Sequence, residues 1–263
     1  MTTVADIIAT VEGLSGHPLH SDEGVQMGRA GATVERALVC WMATRDALVA
    51  AESANADLVI AHESLFYPYN VRLTPGKADA WESWPTNRQR RDVIERAGLT
   101  VMRIHGSADD ICIFDDFASL LRMGDPVAGE GTKKIYEIEP AALGELVEQV
   151  KAAVGMAHVR VSWAGCSPEK VVRRVGLPWG GLGLFVNVGY QQWAIENGCE
   201  VLIAGESDSY GFHFSAECGV PMIETSHEVS EVPGMRRFTA MLAGRHPKVQ
   251  FERYDNRPAW RWA

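Results

Sequence analysis

Short apolar runs that end abruptly in polar residues recur along the chain. Four of them lie at 56–61 (ADLVIA), 99–104 (LTVMRI), 200–204 (EVLIA) and 220–224 (VPMIE). A helix-like segment precedes each run, and a glycine stands between the helix and the run in three of the four cases. This alternation predicts an α/β fold with mostly parallel sheets, and the unbroken apolar strands predict sheets covered on both faces.

Apolar residues at helical spacing predict the intervening helices. In the first segment, one face carries Val4, Ile7, Ile8, Val11 and Leu14. Thr86 is a candidate N-cap for a helix that stops at Gly98, and Pro140 suits the first turn of another. The remaining predictions are a strand at 34–41, helices at 45–54, 86–98, 112–123, 139–154 and 191–198, and a helix end at 214–219.

Composition along the chain predicts two lobes. The stretch 124–134 (GDPVAGEGTKK) is rich in glycine and charge and is a candidate boundary between the lobes. We expect residues 1–125 plus about 225–263 to form one α/β lobe, and about 131–224 to form a second α/β lobe. The stretch 66–85 predicts a long ordered loop, with Trp81 and Trp84 as candidate lid residues; a lid and a plain surface excursion both remain open.

Charge and cysteine content narrow the class of protein. The 263 residues include 25 Lys and Arg against 34 Asp and Glu, a formal charge of −9, without a basic tail. This balance argues against general nucleic-acid or membrane-surface binding. The five cysteines are scattered and predict reduced thiols, and neither a signal peptide nor a 20-residue apolar stretch is evident. We therefore expect a cytoplasmic protein, and the acidic balance leaves open a site that gathers carboxylates to hold a cation.

Histidines and carboxylates stand where the predicted strands end. His62 is followed by Glu63, His105 precedes Asp109 by four residues, and His227 precedes Glu231 by four. In open α/β sheets ligands bind beyond the carboxyl ends of the strands, so these residues can converge. Imidazole and carboxylate together suit borderline divalent metals, and this many donors favours a two-metal site. Two alternatives remain open: Asp109 as the N-cap of helix 112–123, and Glu231 as a first-turn acid.

Three blocks resemble the metal motifs of the Nif-three-like family, whose members are called GTP cyclohydrolase I type 2 homologues. They are AHESLF (61–66), HGSAD (105–109) and SHEVSE (226–231), and GLPWGG (176–181) and GES (205–207) match two further blocks. The resemblance implies two α/β lobes with mostly parallel sheets and a dinuclear metal site in the cleft. It implies two divalent ions per chain (Zn, Mn or Fe, with Mg possible) and the metal ligands His62, Glu63, Asp109, His227 and Glu231. Glu63 stands where the family has a second histidine, which favours harder metals.

The resemblance also implies a function and an assembly. We expect a metal-dependent hydrolase, similar to GTP cyclohydrolase I type 2, that acts on a small nucleotide-like or heterocyclic substrate. His105 is the candidate proton shuttle, and Glu206 is a candidate catalytic residue that could line the cleft or simply cap it. The alternative is a non-enzymatic metal-binding, metal-handling or regulatory protein. The family resemblance implies a ring-like homo-oligomer, commonly a hexamer.

Overall fold

The computed structural model describes residues 1–73, 79–256 and 258–260, which form two compact units. Unit 1 comprises Met1–Cys112 and Met235–Arg257, and unit 2 comprises Ile113–Gly234 and Pro258–Ala263. These bounds differ from those of the predicted lobes, which were 1–125 plus about 225–263 and about 131–224. The division into those lobes stays a prediction. Each unit has its own sheet and helices, so the chain is a mixed α/β protein with two sheets.

Unit 1 contains a five-stranded sheet with the order β1-β4-β3-β2-β11. The strands β2, β3 and β4 and the added strand β11 pair in parallel, and β1 is antiparallel to β4. The mostly parallel sheet predicted from the apolar runs is therefore confirmed in this unit. The strands are β1 (Gly24–Met27), β2 (Arg36–Cys40), β3 (Leu58–Ala61), β4 (Thr100–Arg103) and β11 (Gln250–Tyr254).

The helices of unit 1 are α1 (Val4–Ser15), α2 (Arg45–Ser53), α3 (Pro85–Ala97) and the single turn α4 (Gly106–Ala108). Leu48 from α2 and Val93 and Ile94 from α3 share one buried core with Val59 and Val101 of the sheet. Every residue of β3 and β4 is buried, as expected for parallel strands covered on both faces.

Local capping explains where several helices begin and end. Thr3 and Asp6 form a reciprocal capping box at the start of α1, and Gly98 ends α3 in the left-handed conformation. The prediction of Thr86 as an N-cap is wrong, because the helix begins at Pro85. Proline suits the first position of a helix, since the N–H group of that residue makes no hydrogen bond within the helix.

Unit 2 contains a six-stranded sheet with the order β5-β6-β8-β9-β10-β7. Only β8–β9 and β9–β10 are parallel among the described pairings, so the prediction of a mostly parallel sheet is wrong here. The strands are β5 (Pro126–Glu130), β6 (Lys133–Ala142), β7 (Arg160–Ser162), β8 (Val171–Gly176), β9 (Val201–Ala204) and β10 (Met222–Glu224).

Two further corrections concern the same unit. The candidate boundary at 124–134 is a β-hairpin, because the turn after Glu130 returns the chain in antiparallel pairing with β5. Pro140 lies in strand β6 rather than in a helix, and the following helix begins at Leu143. The helices are α5 (Phe114–Leu120), α6 (Leu143–Val154), α7 (Val188–Glu196) and α8 (Ser209–Glu217).

Helix α9 (His227–Arg245) begins in unit 2 and ends in unit 1. No helix in the part of the chain that the structure describes combines the length and the apolar character needed to cross a membrane.

The predicted loop at 66–85 is ordered where the structure describes it, and residues 74–78 lie outside the described residues. Short 3-10 helices occupy Val71–Leu73 and Trp81–Ser83. The Trp81 ring packs on Phe66, with ring centroids 5.3 Å apart, so one of the two candidate lid residues contacts the start of the loop.

Candidate functional site

Two neighbouring strand ends in unit 1 bring the first predicted residues together. Because β3 and β4 are adjacent and parallel, their carboxyl ends lie at the same edge of the sheet. His62 and His105 follow these ends, and their ring centroids are 4.9 Å apart. One donor atom from each of His62, Glu63 and His105 lies within 4.8 Å of the others.

The orientation of His62 is set by the main chain. Its Nδ1 lies 3.1 Å from the carbonyl oxygen of Ile104, which can only accept, so Nδ1 carries the hydrogen of the neutral ring. The Nε2 lone pair then faces the Oδ1 of Asp109 at 3.8 Å. Since His62 is fully buried, this is the geometry of a metal-ligating imidazole held by its other nitrogen.

Asp109 begins a π-helical segment, Asp109–Ile113, which continues the turn α4 and runs into α5. Its backbone is helical, with φ −56° and ψ −49°. The alternative interpretation of Asp109 as an N-cap is therefore wrong, because an N-cap has non-helical dihedral angles. The helical path instead leaves its carboxylate near His62.

A buried arginine organises the same edge of the sheet. Arg103 is the last residue of β4, and its side chain is 1% exposed. Its guanidinium donates to the His62 carbonyl (2.9 Å), Asp22 Oδ2 (2.7 Å) and the Tyr69 hydroxyl (2.8 Å). Nη2 also lies 3.8 Å from Glu63 Oε2. The positive charge therefore compensates two carboxylates beside His62.

Asp22 joins Arg103 to His105. His105 Nδ1 lies 3.1 Å from Asp22 Oδ2, the oxygen that also accepts from Arg103. The hydrogen bond from His105, together with the nearby charge of Arg103, lowers the pKa of Asp22 to about 2 against the cost of burial. Asp22 is therefore a carboxylate at neutral pH and holds His105 through Nδ1.

In unit 2, strands β9 and β10 repeat the arrangement. They are adjacent and parallel, and Glu206 and His227 follow their carboxyl ends. His227 Nδ1 lies 3.0 Å from Glu206 Oε2, and its Nε2 lies 3.2 Å from Glu231 Oε1. His227 and Glu231 are one helical turn apart on α9, so they share a face. Glu231 lies beyond the first turn, so the alternative of a first-turn acid is wrong.

The glycine-rich turn after β8 closes over this trio. Gly180 has φ 52°, and a Cβ there would overlap Glu231 Oε1 and lie 3.3 Å from His227 Nε2. Its N–H donates to the Ser230 hydroxyl (2.9 Å), and its carbonyl accepts from the Glu206 N–H (2.7 Å). The two blocks at 176–181 and 205–207 therefore meet at the His227–Glu231 pair.

Backbone strain marks the start of α9. Ser226 has φ 133°, a region that residues with a side chain seldom occupy, and its N–H donates to the Gly205 carbonyl.

The structure thus groups the predicted site residues within each unit. His62, Glu63, His105 and Asp109 lie together in unit 1, and Glu206, His227 and Glu231 lie together in unit 2. Sequence reasoning missed Asp22 and Arg103. A charged residue inside the apolar run 99–104 was the available signal for Arg103, because buried arginine requires partners.

The donor chemistry of both groups suits a divalent metal ion. Each offers imidazole nitrogen and carboxylate oxygen, and each histidine is held through its other nitrogen by an acceptor. Such nitrogen and oxygen sets suit Zn²⁺, Mn²⁺ and Fe²⁺. The predicted dinuclear centre in the cleft stays a prediction.

Comparisons with known proteins agree on one family. The model of the family described as Duf34/NIF3 (NGG1p interacting factor 3) matches residues 2–258. A protein of Neisseria meningitidis serogroup B named GTP cyclohydrolase 1 type 2 homolog is 25% identical over 206 residues, 76% of each chain. A protein of the same name from Lactococcus lactis subsp. lactis is 24% identical over 216 residues, 78% of this chain and 77% of that one.

Solved structures agree on the fold. The structure of a Bacillus cereus protein related to NIF3 superposes with a TM-score of 0.80 at 14% identity, covering 100% of this chain and 99% of the other. At this identity the likeness concerns the fold alone.

Proposed function

Because this chain belongs to the Duf34/NIF3 family, we propose that it binds two divalent metal ions and hydrolyses a small nucleotide-like or heterocyclic substrate. The observation that carries the proposal is the repeated arrangement of an oriented histidine and carboxylates at the ends of adjacent parallel strands, once in each unit. The curated relatives are named for a GTP cyclohydrolase, which supports a purine nucleotide as the first substrate to test.

Each unit offers its own candidate ligands. In unit 1, His62 offers Nε2 and Glu63 and Asp109 offer carboxylate oxygens; in unit 2, His227 and Glu231 offer Nε2 and Oε1. Bound divalent ions would polarise a substrate oxygen and lower the pKa of water. The carboxylate of Glu63, in place of a histidine, favours Mn²⁺ or Fe²⁺ over Zn²⁺.

The chain's own groups would position the ligands and move the proton. Asp22 holds His105 through Nδ1 at 3.1 Å, so His105 Nε2 can accept a proton and return it to a leaving group. Glu206 holds His227 through Nδ1 and thereby directs Nε2 toward Glu231. We assign His105 the role of proton shuttle and Glu206 that of a positioning residue.

Metal content tests the first half of the proposal. Protein purified without chelators is expected to hold about two or more ions per chain by mass spectrometry, and His62→Ala and His227→Ala are expected to lower that content. The matched control is His158→Ala, a change at an exposed histidine. Metal content that is near zero in the wild type, or equal in all four proteins, would contradict the proposal.

Turnover tests the second half. GTP, other nucleotides and cyclic amides are to be screened with added Mn²⁺, Fe²⁺ and Zn²⁺, comparing wild type with His105→Asn. Hydrolysis that is at least 10-fold slower in His105→Asn, at unchanged metal content, supports a proton shuttle. Full metal content without turnover on any substrate would instead favour a metal-binding protein.

A further inference from the structure

A second group of histidines and a carboxylate lies in unit 1, in residues that the proposed function does not use. His17 and His20 stand in the loop after α1, and Asp110 stands in the π-helical segment. Asp110 Oδ2 lies 3.3 Å from His17 Nε2 and 3.7 Å from His20 Nε2. The three side chains are 32%, 48% and 42% exposed, so solvent reaches them.

The hydrogen-bonding pattern of His17 directs a lone pair at the carboxylate. His17 Nδ1 lies 2.7 Å from the carbonyl oxygen of Pro18, which can only accept, so Nδ1 carries the hydrogen of the neutral ring. Nε2 then presents its lone pair to Asp110 Oδ2, and two lone pairs at 3.3 Å repel. A cation between these atoms, either a proton or a metal ion, turns that repulsion into attraction.

The loop that carries both histidines is held in place. Glu23 accepts from the N–H of His20 at 2.7 Å through Oε2, and its Oε1 accepts from the N–H groups of His105 (2.6 Å) and Ser107 (2.9 Å). The His20 ring lies directly on Gly106: a Cβ there would be 2.9 Å from Cδ2 and 3.1 Å from Nε2. The absence of a side chain at Gly106 therefore makes room for His20 beside Asp110.

We propose that His17, His20 and Asp110 form a mononuclear site for a borderline divalent ion such as Zn²⁺. One donor atom from each lies within 4.8 Å of the others. Tetrahedral bonds of about 2.0–2.1 Å place neighbouring donors about 3.3 Å apart, close to the observed 3.3 Å and 3.7 Å. Three protein ligands at an exposed position leave the fourth tetrahedral position to water or to another molecule. The adjacent Asp109 is a ligand of the other site, so this site is distinct from it.

Zinc titration tests the site. Metal-free protein is titrated with Zn²⁺ by calorimetry, comparing wild type, the double variant His17→Asn/His20→Asn and the control His158→Asn. The double variant is expected to bind one ion per chain fewer than wild type, and the control is expected to match wild type. Equal stoichiometry and affinity in all three would overturn the proposal. Because the ligands of the proposed dinuclear centre are unchanged in these proteins, its failure would lower the ion count in all three alike.

A measurement on the wild type needs no variant and avoids any effect on folding. Diethyl pyrocarbonate acylates histidine nitrogens that present a lone pair, and tandem mass spectrometry locates each modified residue. Zn²⁺ is expected to slow acylation of His17 and His20 at least 10-fold and to leave His158 unaffected. Equal rates at His17 and His20 with and without Zn²⁺ would overturn the proposal.

Discussion

The two strand-end clusters use the same topology but differ in how their charges are balanced. In unit 1 the histidine is fully buried, a main-chain carbonyl orients it, and a buried arginine faces the carboxylates. In unit 2 the histidine lies between two carboxylates, and the one that orients it, Glu206, is 45% exposed.

The two clusters are therefore expected to respond differently when a charged side chain is removed. Arg103 compensates Asp22 and Glu63 within the folded chain, so the cluster of unit 1 is part of the core of that unit. In unit 2 the orientation of His227 depends on the separate carboxylates of Glu206 and Glu231, and a single substitution can remove either one. We therefore expect the loss of Arg103 to change chiefly stability, and the loss of the Glu206 charge to change chiefly ligand binding.

The largest expected effect is that of Arg103→Met. Removing the buried cation leaves Asp22 and Glu63 without its charge, and uncompensated buried charges cost about 3–5 kcal/mol of unfolding free energy. Urea denaturation measures the loss. The control is Arg96→Met, which breaks an exposed bidentate pair with Glu52 and is expected to change stability far less. Similar losses in the two variants would contradict the role of Arg103.

Gly180→Ala is expected to have the next largest effect. Alanine at positive φ costs about 1 kcal/mol, and overlap with Glu231 adds about 1–3 kcal/mol. Gly131→Ala isolates the first contribution, because Gly131 has a similar φ of 57° and open space around it. Equal losses of stability in the two variants would show that a Cβ at position 180 does not clash with Glu231. Metal titration should show weaker binding only in Gly180→Ala.

Glu206→Gln tests orientation in unit 2 without changing side-chain size. Loss of the charge that holds His227 Nδ1 is expected to weaken Mn²⁺ or Zn²⁺ binding about 10–100-fold while leaving thermal stability nearly unchanged. Calorimetric titration measures the affinity, with the exposed Glu217→Gln as control. An unchanged affinity would contradict the role of Glu206 in orienting His227.

The smallest expected effect is a pH dependence in unit 1. The pKa of Asp22 is lowered from 3.8 to about 2 by His105 and Arg103, so its ionised form stabilises the folded state above about pH 4. That contribution is lost as the pH falls through about 2. The difference in melting temperature between wild type and Asp22→Asn should therefore shrink as the pH falls below about 4. A difference that persists unchanged at pH 2 would contradict this assignment.

Particular residues show how far sequence reasoning reached into the site. The runs at 56–61 and 99–104 predict strands whose ends can converge, and the parallel pairing of β3 and β4 places His62 and His105 together. In unit 2 the runs at 200–204 and 220–224 likewise predict strands, and these are the parallel neighbours β9 and β10. These inferences depend on local periodicity and on the strand-end rule, and both are properties of short segments.

The antiparallel strands of unit 2 escaped prediction because β5 and β6 carry polar and glycine residues that resemble a linker. Their pairing is decided by a turn and by the neighbouring β8, not by an apolar run.

By itself, the sequence determined the helices of unit 1, the strands that end in histidine, and the family. Tertiary structure alone decided that Asp22 contacts Arg103 and His105, 81 and 83 residues away, and that Gly180 contacts Ser230, 50 residues away. The physical reason is the distance along the chain over which each interaction acts. Backbone propensity and hydrophobic periodicity act over one or two turns, whereas the balance of buried charge depends on which distant segments the completed sheets bring into contact.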